Sequence, residues 1–233
     1  MQNKVIIVTG AAGNLGRAVL SCLAGQGARL VAVDRETGTL TQALDAAGGA
    51  GHLPMAGVDL LSGAACEDMV VRTLETYGRI DGLAHTVGGF AIGDIDGGDA
   101  AQFEAMFRLN VITTLNVFRA VAKPMRAAGA GAIVALGAGA GVKAPAGLAA
   151  YAASKAAVHR LVESYAEELK SHGVRVNALL PSTLDTALNR QSMPDADHGA
   201  WVSLDRLAET IGFLLGDAGR DLTGALIPIT GRV

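Results

Sequence analysis

Charge of either sign is sparse in this sequence. Lysine and arginine number 19 against 22 acidic residues, so the net charge is only −3. There is no basic footprint, and nucleic acid is not an expected partner. Cysteine is nearly absent. Cys22 and Cys66 lie 44 positions apart on segments that both read as helices, which fits neither a metal-ligand spacing nor a disulfide framework; buried free thiols are expected. The five histidines, His52, His85, His159, His172 and His198, show no metal spacing either, so no metal is expected. No run of 18 or more residues is free of polar groups, which leaves no candidate membrane span. Met1-Gln-Asn-Lys4 leads straight into Val5-Ile-Ile-Val8, without the apolar region and cleavage pattern of a signal peptide. A cytoplasmic protein is the expectation.

Hydrophobic residues and glycine are plentiful instead. They make up half the chain and 31 positions respectively, a mix that suits a heavily buried parallel sheet with many tight turns. Strand patterns recur at Val5–Val8, Ala28–Val33, Leu53–Val58, Ile80–Val87, Gly131–Leu136, Val174–Leu180 and Ala225–Thr230. Helical patterns fall between them: one running to about Gly25, one capped by Ser62 with Met69, Val70, Leu74 and Tyr77 on its apolar side, and long runs from about Ala100 to Ala127 and from Leu148 to His172. A last one covers Leu204–Leu215. A loop through Gly97-Gly98 precedes the Ala100 helix. This alternation predicts an α/β fold, a single doubly wound parallel sheet of the Rossmann type in one domain over residues 1–233, with about seven strands and helices on both faces. Residues 182–202 are polar, hold three aspartates and the only tryptophan, and read as a structureless segment of the kind that serves as a substrate lid.

The strongest local signal is Thr9-Gly10-Ala-Ala-Gly13-Asn14-Leu15-Gly16, between a strand and a helix. Gly10 permits the tight turn, Gly13 lets the backbone approach a pyrophosphate, and Gly16 lets the helix pack close to the sheet. The helix start then aims amides at phosphate. A plain glycine-rich connection is the competing reading, and the next element weighs against it. Asp34 closes the second strand, 18 residues past Gly16, where a carboxylate accepts hydrogen bonds from an adenosine ribose. Its charge repels a 2′-phosphate, which favours NAD over NADP; Arg35 beside it softens that preference. A solvated turn residue is the alternative for Asp34.

Tyr151-Ala-Ala-Ser-Lys155 places a phenol and an ammonium one helical turn apart. A lysine beside a phenol favours the phenolate and lowers a pKa that starts near ~10, which makes a proton donor and acceptor for an alcohol or carbonyl. An amphipathic pair with its charged tip in water has the same spacing. Asn110 stands in the middle of an apolar helix, where a buried amide needs partners. His159, one turn past Lys155, reads as packing on the helix flank. Leu188, Met193 and Trp201 read either as an apolar substrate wall or as lid packing, and His198 lies in the same segment.

These residues, in this order, resemble the short-chain dehydrogenase/reductase family over essentially the whole chain: Thr9–Gly16, Asp34, Asp59-Leu60, the turn Val87-Gly88, Asn110 in Leu-Asn-Val, Tyr151 with Lys155, and Arg175-Val-Asn-Ala-Leu-Leu-Pro181. The resemblance implies that Tyr151 exchanges the proton with the substrate oxygen. It implies that Lys155 holds the nicotinamide ribose and depresses the Tyr151 pKa, and that Asn110 places a water in the proton relay. Cofactor contacts are implied at Thr9, Gly10, Gly13, Asn14, Leu15, Gly16, Asp34, Arg35, Asp59, Leu60, Val87, Gly88, Tyr151, Lys155, Pro181, Thr183, Leu184 and Thr186. The long helices from Ala100 and Leu148 are expected to build a homodimer or homotetramer.

Several positions depart from the family pattern. Its Asn-Asn-Ala-Gly turn is His85-Thr86-Val87-Gly88 here, which leaves His85 or Thr86 a supporting role. The family's catalytic serine, 13 residues before the tyrosine, is Ala138. Loss of a comparable donor costs ~2.7–4 kcal/mol of transition-state stabilisation in enzymes built to use it. The stretch 135–161 and the segment Leu184-Asp-Thr186 to Trp201 are similar to dihydropteridine reductase, a branch that also carries alanine there. That branch uses NADH to reduce an electron-poor quinonoid pterin. Three readings stand: an NAD-dependent oxidoreductase of carbonyls and alcohols, a dihydropteridine-type reductase, and a dinucleotide-binding sensor or scaffold that has lost catalysis. Ser154, three residues from Tyr151 in the same helix, is not expected to replace the missing hydroxyl.

Overall fold

The computed structural model describes residues 1–49, 51–93 and 99–233; the glycine loop at Gly97-Gly98 lies outside them. The elements begin with β1 (Val5–Thr9), α1 (Asn14–Gly25), β2 (Arg29–Asp34), α2 (Thr37–Ala46), β3 (Leu53–Ala56), α3 (Gly63–Tyr77) and β4 (Gly82–His85). The second half follows with α4 (Ala100–Met106), a π-helical stretch (Phe107–Ile112), α5 (Thr113–Ala128), β5 (Gly131–Leu136), α6 (Ala149–Leu169) and β6 (Val174–Pro181). It closes with α7 (Ala187–Ser192), α8 (Leu204–Leu215) and β7 (Leu226–Ile229).

The strands form one seven-stranded sheet in the order β3-β2-β1-β4-β5-β6-β7, and each neighbouring pair runs parallel. Successive side chains on a strand point to opposite faces. Val5, Ile7, Leu83, Ile133 and Val176 accordingly pack with Met69 of α3, Phe118 of α5 and Val162 of α6. Ile6, Val8, Leu30, Val134 and Leu179 pack on the other side with Leu20 of α1, Leu40 of α2 and Ile211 of α8. Burial on both faces is why the strands read as near-continuous apolar runs. The winding direction reverses between β1 and β4, and at such a switch point a crevice opens beyond the carboxyl ends of the strands.

Element boundaries shift by a few residues from the sequence reading. Strand β3 stops at Ala56, because Gly57 turns with φ +74°. Helix α2 had no signal: Thr37, Gly38 and Thr39 open it with poor helix formers, and its anchor is only Leu40, Ala43 and Leu44 on one face. The run from Ala100 to Ala128 is helical throughout, but its middle turn widens into the π-helical stretch that contains Asn110. Residues 182–202 are not structureless. They hold α7 and a 3-10 turn at His198–Ala200, and a parallel bridge between Leu184 and Val202 pins the two ends together.

Candidate active site

The crevice at the switch point is a cavity of about 440 Å³. Gly10, Gly13, Asp34, Arg35, Asp59, Leu60, Val87 and Gly88, all expected from sequence, line it together with Thr86, expected only in a supporting role, and Ala12, which was not expected. At Gly10 the backbone has φ +69°, and a Cβ would sit 2.9 Å from the Thr86 Oγ1; at Gly16 a Cβ would lie 2.1 Å from the Gly10 carbonyl oxygen. The loop therefore tolerates no side chain at either position. No side chain caps α1 at Gly13, so its first-turn amides keep their capacity for an anion. The Asp34 carboxylate accepts from the backbone N–H groups of Ala12 (2.9 Å), Arg35 (2.7 Å) and Glu36 (3.3 Å). That grip fixes it on the cavity wall.

The other residues expected near the cofactor lie outside this lining. Thr9 is fully buried, and its Oγ1 bonds His85 Nδ1 at 2.8 Å. Leu15 is a core residue, Gly16 serves the packing just described, and Asn14 is exposed at the start of α1. Pro181 ends β6, and Thr183, Leu184 and Thr186 form the base of the following segment. There the Thr183 carbonyl accepts from Val202 N–H and the Val202 carbonyl from Asp185 N–H, both at 2.9 Å. Thr186 caps α7 through Asn189 N–H at 3.2 Å, while Arg190 grips Asp185 with two hydrogen bonds of 2.6 and 2.8 Å. Trp201 is buried and pairs with His198, whose Nε2 bonds the Met193 carbonyl, so both side chains pack within this segment. Leu188 and Met193 are exposed.

Tyr151 stands in the first turn of α6, with the Lys155 ammonium 6.0 Å from its ring centroid. Lys155 is buried, and its Nζ donates to the Leu136 carbonyl at the end of β5 (2.8 Å). The charged tip is thus not in water, as an amphipathic pair would have it. Asn110 is buried and satisfies its amide fully. Its Oδ1 accepts from Gly89 N–H (2.8 Å), and its Nδ2 donates to the Gly89 carbonyl (3.1 Å) and to Ser154 Oγ (2.9 Å). Ser154 in turn donates to the Tyr151 carbonyl at 2.7 Å, so its hydroxyl is committed within this network. A Cβ on Gly88 would lie 2.9 Å from Asn110 Oδ1 and 3.0 Å from Lys155 Nζ. Gly88 therefore joins the cavity to the Tyr151–Lys155–Asn110 group.

The expected depression of the Tyr151 pKa is not what this geometry gives. Burial pushes the Tyr151 phenol up and the Lys155 ammonium down, the latter to about 8. The cause is desolvation: both groups are held away from water, and the ammonium spends a hydrogen bond on Leu136 rather than on the phenol. Ala138 is buried with an extended backbone, and its N–H donates to His159 Nε2 at 3.3 Å. Position 138 thus offers neither a hydroxyl nor an unpaired amide.

His159 is not on the helix flank. It is buried where Gly137 and Gly141 make room: a Cβ at those positions would lie 2.5 and 2.6 Å from its ring. Burial, with the Lys155 charge second, lowers its pKa to about 4. His85 is buried edge-on to Phe118, its Nε2 without a partner, and the same two causes lower its pKa to about 3. Cys66 is buried and Cys22 partly exposed; both are free thiols. Among the described residues, no cluster of three or more histidines, cysteines or carboxylates could hold a metal ion, and no helix is long and apolar enough to cross a membrane.

A seven-stranded parallel sheet with a glycine cradle at its switch point and a tyrosine–lysine pair beside it defines a class of nucleotide-dependent oxidoreductase folds, and comparison with known proteins narrows it. The model of the short chain dehydrogenase family matches residues 4–197, and the chain belongs to that family. It is 31% identical over 207 residues to an uncharacterized oxidoreductase of Staphylococcus saprophyticus, covering 88% of this chain and 87% of that protein. It is 29% identical over 253 residues to the 1,6-dihydroxycyclohexa-2,4-diene-1-carboxylate dehydrogenase of Pseudomonas putida, covering 99% and 92%. Among solved structures, NAD+-bound xylitol dehydrogenase superposes with a TM-score of 0.89 at 26% identity, over 99% of this chain and 98% of that one.

Proposed function

We propose that this protein is an NAD(H)-dependent dehydrogenase or reductase that interconverts a secondary alcohol and a ketone, or a related carbonyl. The observation that carries the reading is the junction at Gly88, where a Cβ would run into Asn110 and Lys155 and whose backbone lines the switch-point cavity. Bound NAD(H) would supply or take up the hydride. Tyr151 gives its hydroxyl proton to the substrate oxygen, or takes it back in the oxidative direction. Lys155 keeps N–H groups beyond the one spent on Leu136, and these serve the nicotinamide ribose. Asn110 holds the Gly88–Gly89 turn against both. The role of Asn110 in seating a relay water, drawn from the family resemblance, belongs to the same proposal. Asp34 accepts from the adenosine ribose and repels a 2′-phosphate, which supports NAD over NADP, while Arg35 on the same wall tempers the preference. By the same family resemblance, the chain works as a homodimer or homotetramer.

Ala138 favours a second reading within this one, an electron-poor substrate such as a quinonoid dihydropterin, which accepts hydride with less help from a hydrogen-bond donor. NADH and NADPH oxidation against ketones, aldehydes and quinonoid dihydropterin, with NAD+ reduction by alcohols, tests both. Turnover with NADH at least about tenfold above NADPH is expected, a preference of ~1.4 kcal/mol. Tight NADH binding without turnover of any substrate would instead establish a sensor or scaffold.

A further inference from the structure

Phe90 is the most exposed of the five phenylalanines, at 57%, and yet its ring packs on the Tyr151 ring, centroids 4.9 Å apart and planes at 76°. Edge-to-face contact at this distance is a favourable aromatic geometry. The backbone around Phe90 is held on both sides. Asn110 grips the N–H and carbonyl of Gly89, and Gly93 N–H donates to the Gly147 carbonyl at 2.9 Å, just before α6. Ile92, 71% exposed, lies on the same tether, and a Cβ on Gly147 would be 3.7 Å from its Cγ2. A single exposed apolar side chain needs no explanation. Phe90 differs from the others because its buried edge lies on the phenol that moves the proton, while the rest of its ring faces solvent.

We propose that Phe90 is a specificity-determining residue: its free surface, with Ile92 beside it, forms an apolar wall next to Tyr151 that selects a substrate whose carbonyl or alcohol is borne on a flat ring. The inference rests on the reading of Tyr151 as the proton donor and adds to it a substrate class. A planar ring stacks or meets Phe90 edge-on, whereas an open-chain ketone must order its rotatable bonds to cover the same surface. Phe90 also shields Tyr151 from water, and it therefore contributes to the burial that raises the phenol's pKa.

The test compares kcat/KM for matched ring-borne and open-chain ketones of equal carbon number, for instance α-tetralone and 2-decanone, within a wider carbonyl panel. Wild type, Phe90→Ala, Phe90→Leu and Phe90→Trp are measured, and NADH affinity is followed separately by nicotinamide fluorescence. Wild type is expected to favour ring-borne ketones. Phe90→Ala is expected to lower the ring-to-chain ratio about tenfold, chiefly through KM, and Phe90→Trp to restore it. In Phe90→Ala the alkaline limb of the pH profile for reduction moves to lower pH, because a wetter phenol loses its proton earlier. An unchanged ratio in Phe90→Ala that still binds NADH overturns the inference, as does a wild type that turns over only open-chain carbonyls. A wild type that reduces no carbonyl at all overturns the underlying reading, and the inference with it. Should Phe90→Ala fail to fold, Phe90→Leu, which keeps most of the apolar volume and loses the ring, decides by the same ratio.

Discussion

Ala138 carries no side-chain donor, and the amide of the same residue is spent on His159. The Ser154 hydroxyl is spent on Tyr151 and Asn110. In the proposed reaction, Tyr151 is therefore the hydroxyl of this group left to meet a substrate oxygen. Ala138→Ser returns a hydroxyl to the end of β5, and kcat/KM for simple ketones is expected to rise by about tenfold or more, toward the ~10²–10³ that such a donor is worth where it is used. Steady-state NADH oxidation measures this; no gain would mean that another group already fills the role. That position 138 is an alanine was legible in the sequence. The bonds that occupy Ala138 and Ser154 were not, because they depend on which side chains the fold brings across 21 and 44 residues of chain. The directions of the Tyr151 and Lys155 shifts were hidden for the same reason. Spacing puts the two groups on one helix face, whereas burial by the rest of the fold decides their protonation.

Helix α6 and the 3-10 turn before it, Gly139–Gly141, meet with almost no slack. A Cβ on Gly141 would lie 2.6 Å from His159 Cε1 and 2.8 Å from the Ala156 backbone nitrogen. Gly141→Ala must push that backbone or the buried histidine aside, and a loss of about 1–3 kcal/mol is expected from such overpacking. A urea-denaturation comparison checks it; a midpoint equal to wild type would show the turn free to shift. Long regular elements were readable because β-branched runs and helical periodicity announce them. Helix α2 opens on poor helix formers, α7 is only six residues, and the π-helical turn around Asn110 has no sequence signature of its own. Asn110 did signal that something unusual sits in that helix, since a buried amide must find partners. The partners themselves, on the Gly88–Gly89 turn, had to come from the fold.

For the whole molecule, the two buried neutral histidines link stability to pH. His85 and His159 have pKa values lowered from 6.5 to about 3 and about 4, so below 6.5 the unfolded chain binds protons that the folded chain refuses. Stability is therefore present in full above 6.5 and falls as pH drops toward 4. Lys155 acts in the other range: its lowered pKa penalises the fold below about 8, and the penalty is relieved as pH rises toward 10.5. Urea midpoints across pH 4 to 8 are expected to drop on the acid side, and His85→Phe to reduce that drop; an equal slope in the variant would contradict the assignment. The parallel sheet, the glycine cradle and the family were all foreshadowed by motifs set in their chain order. The substrate was not, because no motif fixes the residue types of the surfaces that would recognise it.

In the proposed reaction Tyr151 transfers the proton while the nicotinamide is held on the Gly88 side of the same group. Single-turnover oxidation of enzyme-bound NADH by a carbonyl substrate, followed at the nicotinamide absorbance, tests it most directly in wild type and Tyr151→Phe. The variant is expected to bind NADH as tightly as wild type and to oxidise it about 10²–10⁴-fold more slowly, the span of general acid catalysis. Equal rates in the two proteins would rule out Tyr151 as the proton donor.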